Sequence, residues 1–110
     1  GSSTGLKMEV IMNIKIQSLR FDADAKLLDF VENKVGKLDQ YYDNIIGAEV
    51  TLKLDKSTEP GNKVADIKVL IPGNDLFSKR QAKSFEEATD LATEALRKQL
   101  QKTKEKQRKI

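Results

Sequence analysis

The last fourteen residues, 97–110, carry seven bases (Arg97, Lys98, Lys102, Lys104, Lys106, Arg108 and Lys109) and a single acid, Glu105. That is a net of +6 in a chain whose total is +3, so the other 96 residues sum to −3. Clustered ammonium and guanidinium groups do one kind of chemistry well. They neutralise phosphates and release condensed counterions, without needing to read a base sequence. Just upstream, residues 84–96 hold Glu86, Glu87, Asp90 and Glu94 and no base. Acids at the start of a helix and bases at its end also complement the helix dipole, by about 0.3–1 kcal/mol each, and a charged tail aids solubility. Dipole complementation acts only over the terminal turn, however, whereas this basic run would span about four turns of helix. Lys34 and Lys37, with Lys53 and Lys56, are placed to extend a polyanion-binding patch.

Other chemistries find little material. The chain has no Cys and no His, which removes disulfides, thiolate catalysis, the commonest metal ligand and the usual general base near neutral pH. Asp22 and Asp24 could pair on a cation, but no third ligand lies nearby and both suit a helix N-cap. No arrangement of Asp, Glu, Lys or Tyr asks for catalysis, so the expectation is a protein that is not an enzyme and has no metal or cofactor. Tyr41-Tyr42 could offer a ring for base stacking. At the end of an amphipathic helix, one ring in the core and one at its edge is the expected division. Phe77 and Phe85 are expected in the core. Lys79-Arg80 reads equally well as an edge-strand guard or as part of the basic surface.

The elements that must position these groups follow from hydrophobic period. Ile14 and Ile16 alternate with Lys15 and Gln17, a half-buried strand from Asn13 to Leu19. Leu28, Val31, Val35, Leu38 and Tyr42 form one apolar stripe of a helix over roughly 24–42. Gly36 within it suggests a close neighbour or a weak turn. Val50, Leu52 and Leu54 alternate on a second strand. Ala65, Ile67, Val69 and Ile71 line one face of a third, about Lys63 to Ile71, between turns at Glu59-Pro60-Gly61-Asn62 and Pro72-Gly73-Asn74-Asp75. A polar fourth strand, Leu76 to Lys83, belongs at an edge. Ser84 and Glu87 match a capping box. Phe85, Ala88, Ala92, Leu96 and Leu100 then stripe a second long helix. The fold class is α/β of α+β type: β-α-β-β-β-α, a four-stranded mixed sheet with the first pair parallel and two helices on one face.

At 110 residues the chain supports one core. No run of about 18 apolar residues exists, and no secretory segment is evident, so a cytoplasmic protein with no membrane partner is expected. Gly1-Ser2-Ser3-Thr4-Gly5 looks like a non-native remnant, with starts available at Met8 and Met12. Residues 1–11 are therefore set apart from a domain at 12–104, followed by a basic, fraying tail at 105–110.

Several segments together resemble the ribosome hibernation-promoting factor and ribosome-associated inhibitor A family. They are Met12-Asn13-Ile14-Lys15-Ile16, Lys37-Leu38-Asp39-Gln40-Tyr41-Tyr42-Asp43, Leu52-Lys53-Leu54-Asp55-Lys56, and Phe85-Glu86-Glu87-Ala88 leading into Leu96-Arg97-Lys98-Gln99-Leu100-Gln101-Lys102-Thr103-Lys104-Glu105-Lys106. Their order and spacing cover Met12 to Lys109. The resemblance implies a bacterial factor that binds the small ribosomal subunit in the channel where mRNA and tRNA sit. It would block translation when growth slows and would be a monomer off the ribosome, with no small-molecule substrate. It further implies rRNA-phosphate contacts from Lys34, Lys37, Lys53, Lys56, Lys98, Lys102, Lys104, Lys106 and Arg108. Ser78 to Ser84 is more basic than the family's pattern, so Lys79 and Arg80 receive no carried-over role. Long family members have a second, dimerising domain; this chain resembles the short form.

Two other readings compete. One is a general double-stranded RNA-binding module, whose α-β-β-β-α order lacks the leading strand. The other is a protein–protein adaptor whose basic tail only confers solubility.

Overall fold

The computed structural model describes residues 13–19, 21–56 and 61–108, with the side chains of 106–108 outside the described set. The expected remnant at 1–11, the start at Met12, the Glu59-Pro60 half of the first turn and Lys109 likewise lie outside the described residues. The element order is β1 (Asn13–Ser18), α1 (Ala25–Gly36), a 3₁₀ segment (Lys37–Gln40), β2 (Gly47–Leu54), β3 (Lys63–Ile71), β4 (Asn74–Ala82) and α2 (Phe85–Arg108). The strands lie side by side in chain order, β1 parallel to β2 and the other pairs antiparallel. This is the expected mixed sheet, with β4 at an edge.

Strand alternation decides what the sheet buries. Ala48, Val50 and Leu52 of β2 share a pleat face with Ala65, Ile67, Val69 and Ile71 of β3 and Leu76 of β4. All join one cluster with Val31 and Val35 of α1 and Ala88, Ala92, Leu96 and Leu100 of α2. Both helices therefore cover the same face, and the other face is left open. Ile14 and Ile16 point inward from the edge strand and are half-buried. Burying a Leu or Ile side chain contributes about 1.5–3 kcal/mol, so the α2 stripe alone is a large part of what holds the layers together. At the other end of the helix pair, Phe21 stacks on Phe85 with ring centroids 4.6 Å apart and planes 8° from parallel.

Three expectations are corrected in detail. The first helix is shorter than 24–42: α-helical bonding ends at Gly36 and tightens into the 3₁₀ segment, where Leu38 stays buried. Glycine is a weak helix former, and a 3₁₀ turn is a common way to end a helix. Phe77, expected in the core, is 55% exposed. Its neighbour Leu76 pairs with Val69 and takes the inward position, and the period of two turns Phe77 onto the open face. β4 starts at Asn74 and ends at Ala82, because Pro72 and Gly73 suffice for the turn; Ile71 pairs with Asn74 directly across it. Gly73 has φ +81°, the left-handed conformation that favours glycine after a turn proline.

The caps are partial. Asp24 holds the N-cap position of α1 with extended backbone, but its carboxylate makes no capping bond. At α2 the Glu87 N–H donates to Ser84 Oγ at 3.3 Å, one half of the expected box. Tyr42 is buried in the core and Tyr41 is half-buried at its rim.

Candidate nucleic-acid interface

The basic run lies on α2, whose helical bonding continues through Arg108, past the boundary expected at 104. Leu100 is the last fully buried residue of the stripe, and Gln101, Lys102, Lys104 and Glu105 are exposed. At about 100° per residue Lys98 and Lys102 each fall on the solvent-facing back of the helix, nearly opposite Leu100, whereas Arg97 and Lys104 fall beside it. Lys98 and Lys102 are four apart on one side, next to Gln99, whose side-chain amide donates to the Phe77 carbonyl of edge strand β4 at 3.4 Å. Arg97 and Lys104 are seven apart on another side, and of the two Arg97 lines the groove against α1. Lys106 and Arg108 belong to the same helix, and their side chains lie outside the described residues.

The α1 side is a groove. The two helices run in the same direction, and Lys34 Nζ of α1 reaches Asp90 Oδ1 of α2 at 3.1 Å. Seven residues further along each segment, where the chain has just left the 3₁₀ segment, the Arg97 guanidinium sits over the Tyr41 ring, 5.6 Å from its centroid. Lys37 lines the groove between these contacts, together with Glu94. Lys34 also lies 5.6 Å from the Phe30 ring centroid. The helix layer therefore gathers Lys34, Lys37, Lys98, Lys102 and Lys104 of the expected residues, on two sides of α2. Arg97, part of the basic run but not among the expected contacts, also lines the groove, with its guanidinium over the Tyr41 ring. Its spacing of seven from Lys104 was the available signal; its partner Tyr41 is 56 residues away.

Lys53 and Lys56 are not part of this group. Lys53 points from β2 onto the open face, where it pairs with Asp66 of β3 at 3.5 Å. Lys56 is exposed beyond the strand's end, and its backbone N–H donates to Asp55 Oδ1. With Lys79 and Gln81 they border a separate hollow of about 410 Å³. The pleat also splits Lys79 from Arg80. Lys79 pairs across to Asp66 on the open face, and Arg80 sits on the side of Ala65. Among the described residues no group of three His, Cys, Asp or Glu is placed to hold a metal ion, and no described helix is long and apolar enough to cross a membrane.

Residues 14–108 match the family described as Sigma 54 modulation protein / S30EA ribosomal protein. A ribosome hibernation promotion factor of Bacillus subtilis is 34% identical over 97 residues, which is 86% of this chain and 50% of that protein; the chain thus spans half the length of that relative. A ribosome hibernation promoting factor of Klebsiella oxytoca is 27% identical over 95 residues, covering 86% of this chain and 96% of that one. Among solved structures, the N-terminal domain of Thermus thermophilus Protein Y superposes with a TM-score of 0.72 at 28% identity, covering 84% of this chain and 99% of that one. A ribosomal subunit interface protein from Coxiella burnetii shares the fold, with a TM-score of 0.71 at 22% identity over 84% of this chain and 98% of that one. With the family match spanning both helices and all four strands, the chain belongs to the Sigma 54 modulation protein / S30EA ribosomal protein family.

Proposed function

We propose that this protein is a ribosome-associated hibernation factor. It docks on the small subunit through phosphate contacts from its helix layer and blocks translation by occupying the channel for mRNA and tRNA. The observation that carries this reading is α2 itself: a helix of 24 residues whose exposed positions after Leu100 include Lys102 and Lys104, in a family whose curated relatives are named ribosome hibernation factors. Occlusion needs charge and placement rather than a reactive group, which suits a chain with neither Cys nor His. The double-stranded RNA module is disfavoured because β1 is an integral parallel partner of β2.

The test is co-sedimentation of the protein with purified small subunits across a salt series. Binding is expected to fall steeply as salt rises, with a log–log slope of about −0.7 to −0.9 per phosphate neutralised. Absence of binding at low salt, or binding indifferent to salt, would sink the proposal.

A further inference from the structure

The groove between α1 and α2 has a more specific use than adding charge. We infer that Arg97 is a phosphate anchor, held in position by Tyr41 and flanked by Lys37, and that the groove takes one backbone phosphate of the bound RNA. This inference rests on the small-subunit reading above and names a contact within it.

Three features of the groove support it. First, the groove, of about 250 Å³, is lined by three bases, Lys34, Lys37 and Arg97, and two acids, Asp90 and Glu94. The acids do not neutralise it evenly, because Asp90 is engaged by Lys34 at 3.1 Å. Among the described residues neither Lys37 nor Arg97 has a carboxylate within ion-pair distance. Second, the Arg97 guanidinium lies over the Tyr41 ring, 5.6 Å from its centroid, a contact that favours this placement and lowers the side-chain freedom lost when it takes up an anion. Third, the Arg97 Nε is buried and has no hydrogen-bond partner among the described residues. An unmade bond at a buried charged donor is unfavourable, and a position needing only solubility would be served better by a free lysine. The planar fork of an arginine is the group that meets two phosphate oxygens at once.

Glu94 gives the inference a sharp test, since its charge sits in the groove and opposes any anion there. Affinity of the full chain for purified small subunits would be measured against salt for R97M, R97K, Y41L, Y41F and E94Q, with K102A alongside. R97M should weaken binding about tenfold, as expected for a charge-assisted hydrogen bond, and flatten the salt slope by about 0.7–0.9. R97K should restore the slope but only part of the affinity. Y41L should weaken binding, while Y41F, which keeps the ring, should stay near wild type. E94Q should tighten binding about threefold, the fold-change of a modest surface electrostatic term. If R97M and E94Q both bind like wild type while K102A binds more weakly, the ribosome reading stands and the groove inference is overturned. If the wild-type chain does not bind small subunits, both fall together. Circular dichroism checks that R97M folds; if it does not, the exposed change E94Q decides the matter by itself.

Discussion

Lys34 of α1 and Asp90 of α2 form an ion pair at 3.1 Å that bridges the two helices, and both side chains keep substantial contact with solvent (36% and 56% exposed). A pair that exposed contributes about 0–1 kcal/mol to stability, so its larger consequence is electrostatic: it occupies one base that could otherwise face a phosphate. Asp90→Asn is therefore expected to cost under about 1 kcal/mol in a denaturant melt while raising small-subunit affinity at low salt. A variant that is markedly less stable, or that binds more weakly, would show that the pair is structural.

Charge reversal at Lys98, Lys102 and Lys106 together should leave the melt unchanged within about 0.5 kcal/mol for each exposed site and should abolish co-sedimentation at moderate salt. Lys98 and Lys102 are exposed, so no buried partner is lost. Unchanged occupancy would move the binding surface away from α2.

Lys53 lies on the open face, paired with Asp66, and is remote from the α1–α2 groove. Lys53→Ala should lower small-subunit affinity less than Lys102→Ala, and the two effects should add, because sites that share no partner usually combine to within about 0.5 kcal/mol. A double mutant far from additive would mean that both bases contact one element of the partner.

Two glycines should respond in opposite directions. Gly36 has helical backbone (φ −61°), and a Cβ there would meet Ile14 Cδ1 at 3.7 Å, an ordinary contact. Gly36→Ala should stabilise the fold by about 0.4–1 kcal/mol through the unfolded chain and helix propensity. A Cβ on Gly47 would lie 3.0 Å from the Asn13 carbonyl oxygen, so Gly47→Ala must displace β1 and should lower the midpoint of denaturation. Equal effects from the two variants would contradict the geometry.

Leu96 and Leu100 are wholly buried between α2 and the sheet. Truncating either to Ala should cost about 2–5 kcal/mol. A loss below about 1 kcal/mol in urea unfolding would mean that α2 holds the sheet less tightly than its burial implies.

Local period was enough to read most of the architecture. The alternation of Ile14 and Ile16, of Val50 and Leu52, and of Ala65 to Ile71 has no other low-energy use than a half-buried strand. The Phe85–Leu100 stripe appears in the core residue for residue. The concentration of bases on the second helix was equally legible, since it is a property of adjacent positions. Non-local contacts decided the rest. Leu76 and Phe77 are adjacent apolar residues, and only the pairing of Leu76 with Val69 determines which of them faces the helices. Lys53 and Lys98 look alike in sequence, but strand register sends one to the open face and helix packing sends the other to the opposite layer. Arg97 and Tyr41 meet because the path from Lys34 through the 3₁₀ segment to Tyr41 runs alongside α2 from Asp90 to Arg97. Nothing in either segment alone encodes that match. The elements, the two-layer class and the basic character of the last helix were legible in the residues alone, because these depend on neighbours along the chain. Tertiary packing alone set Lys34, Lys37 and Arg97 around a groove and sent Lys53 to the open sheet face, because those placements depend on which distant side chains each base meets.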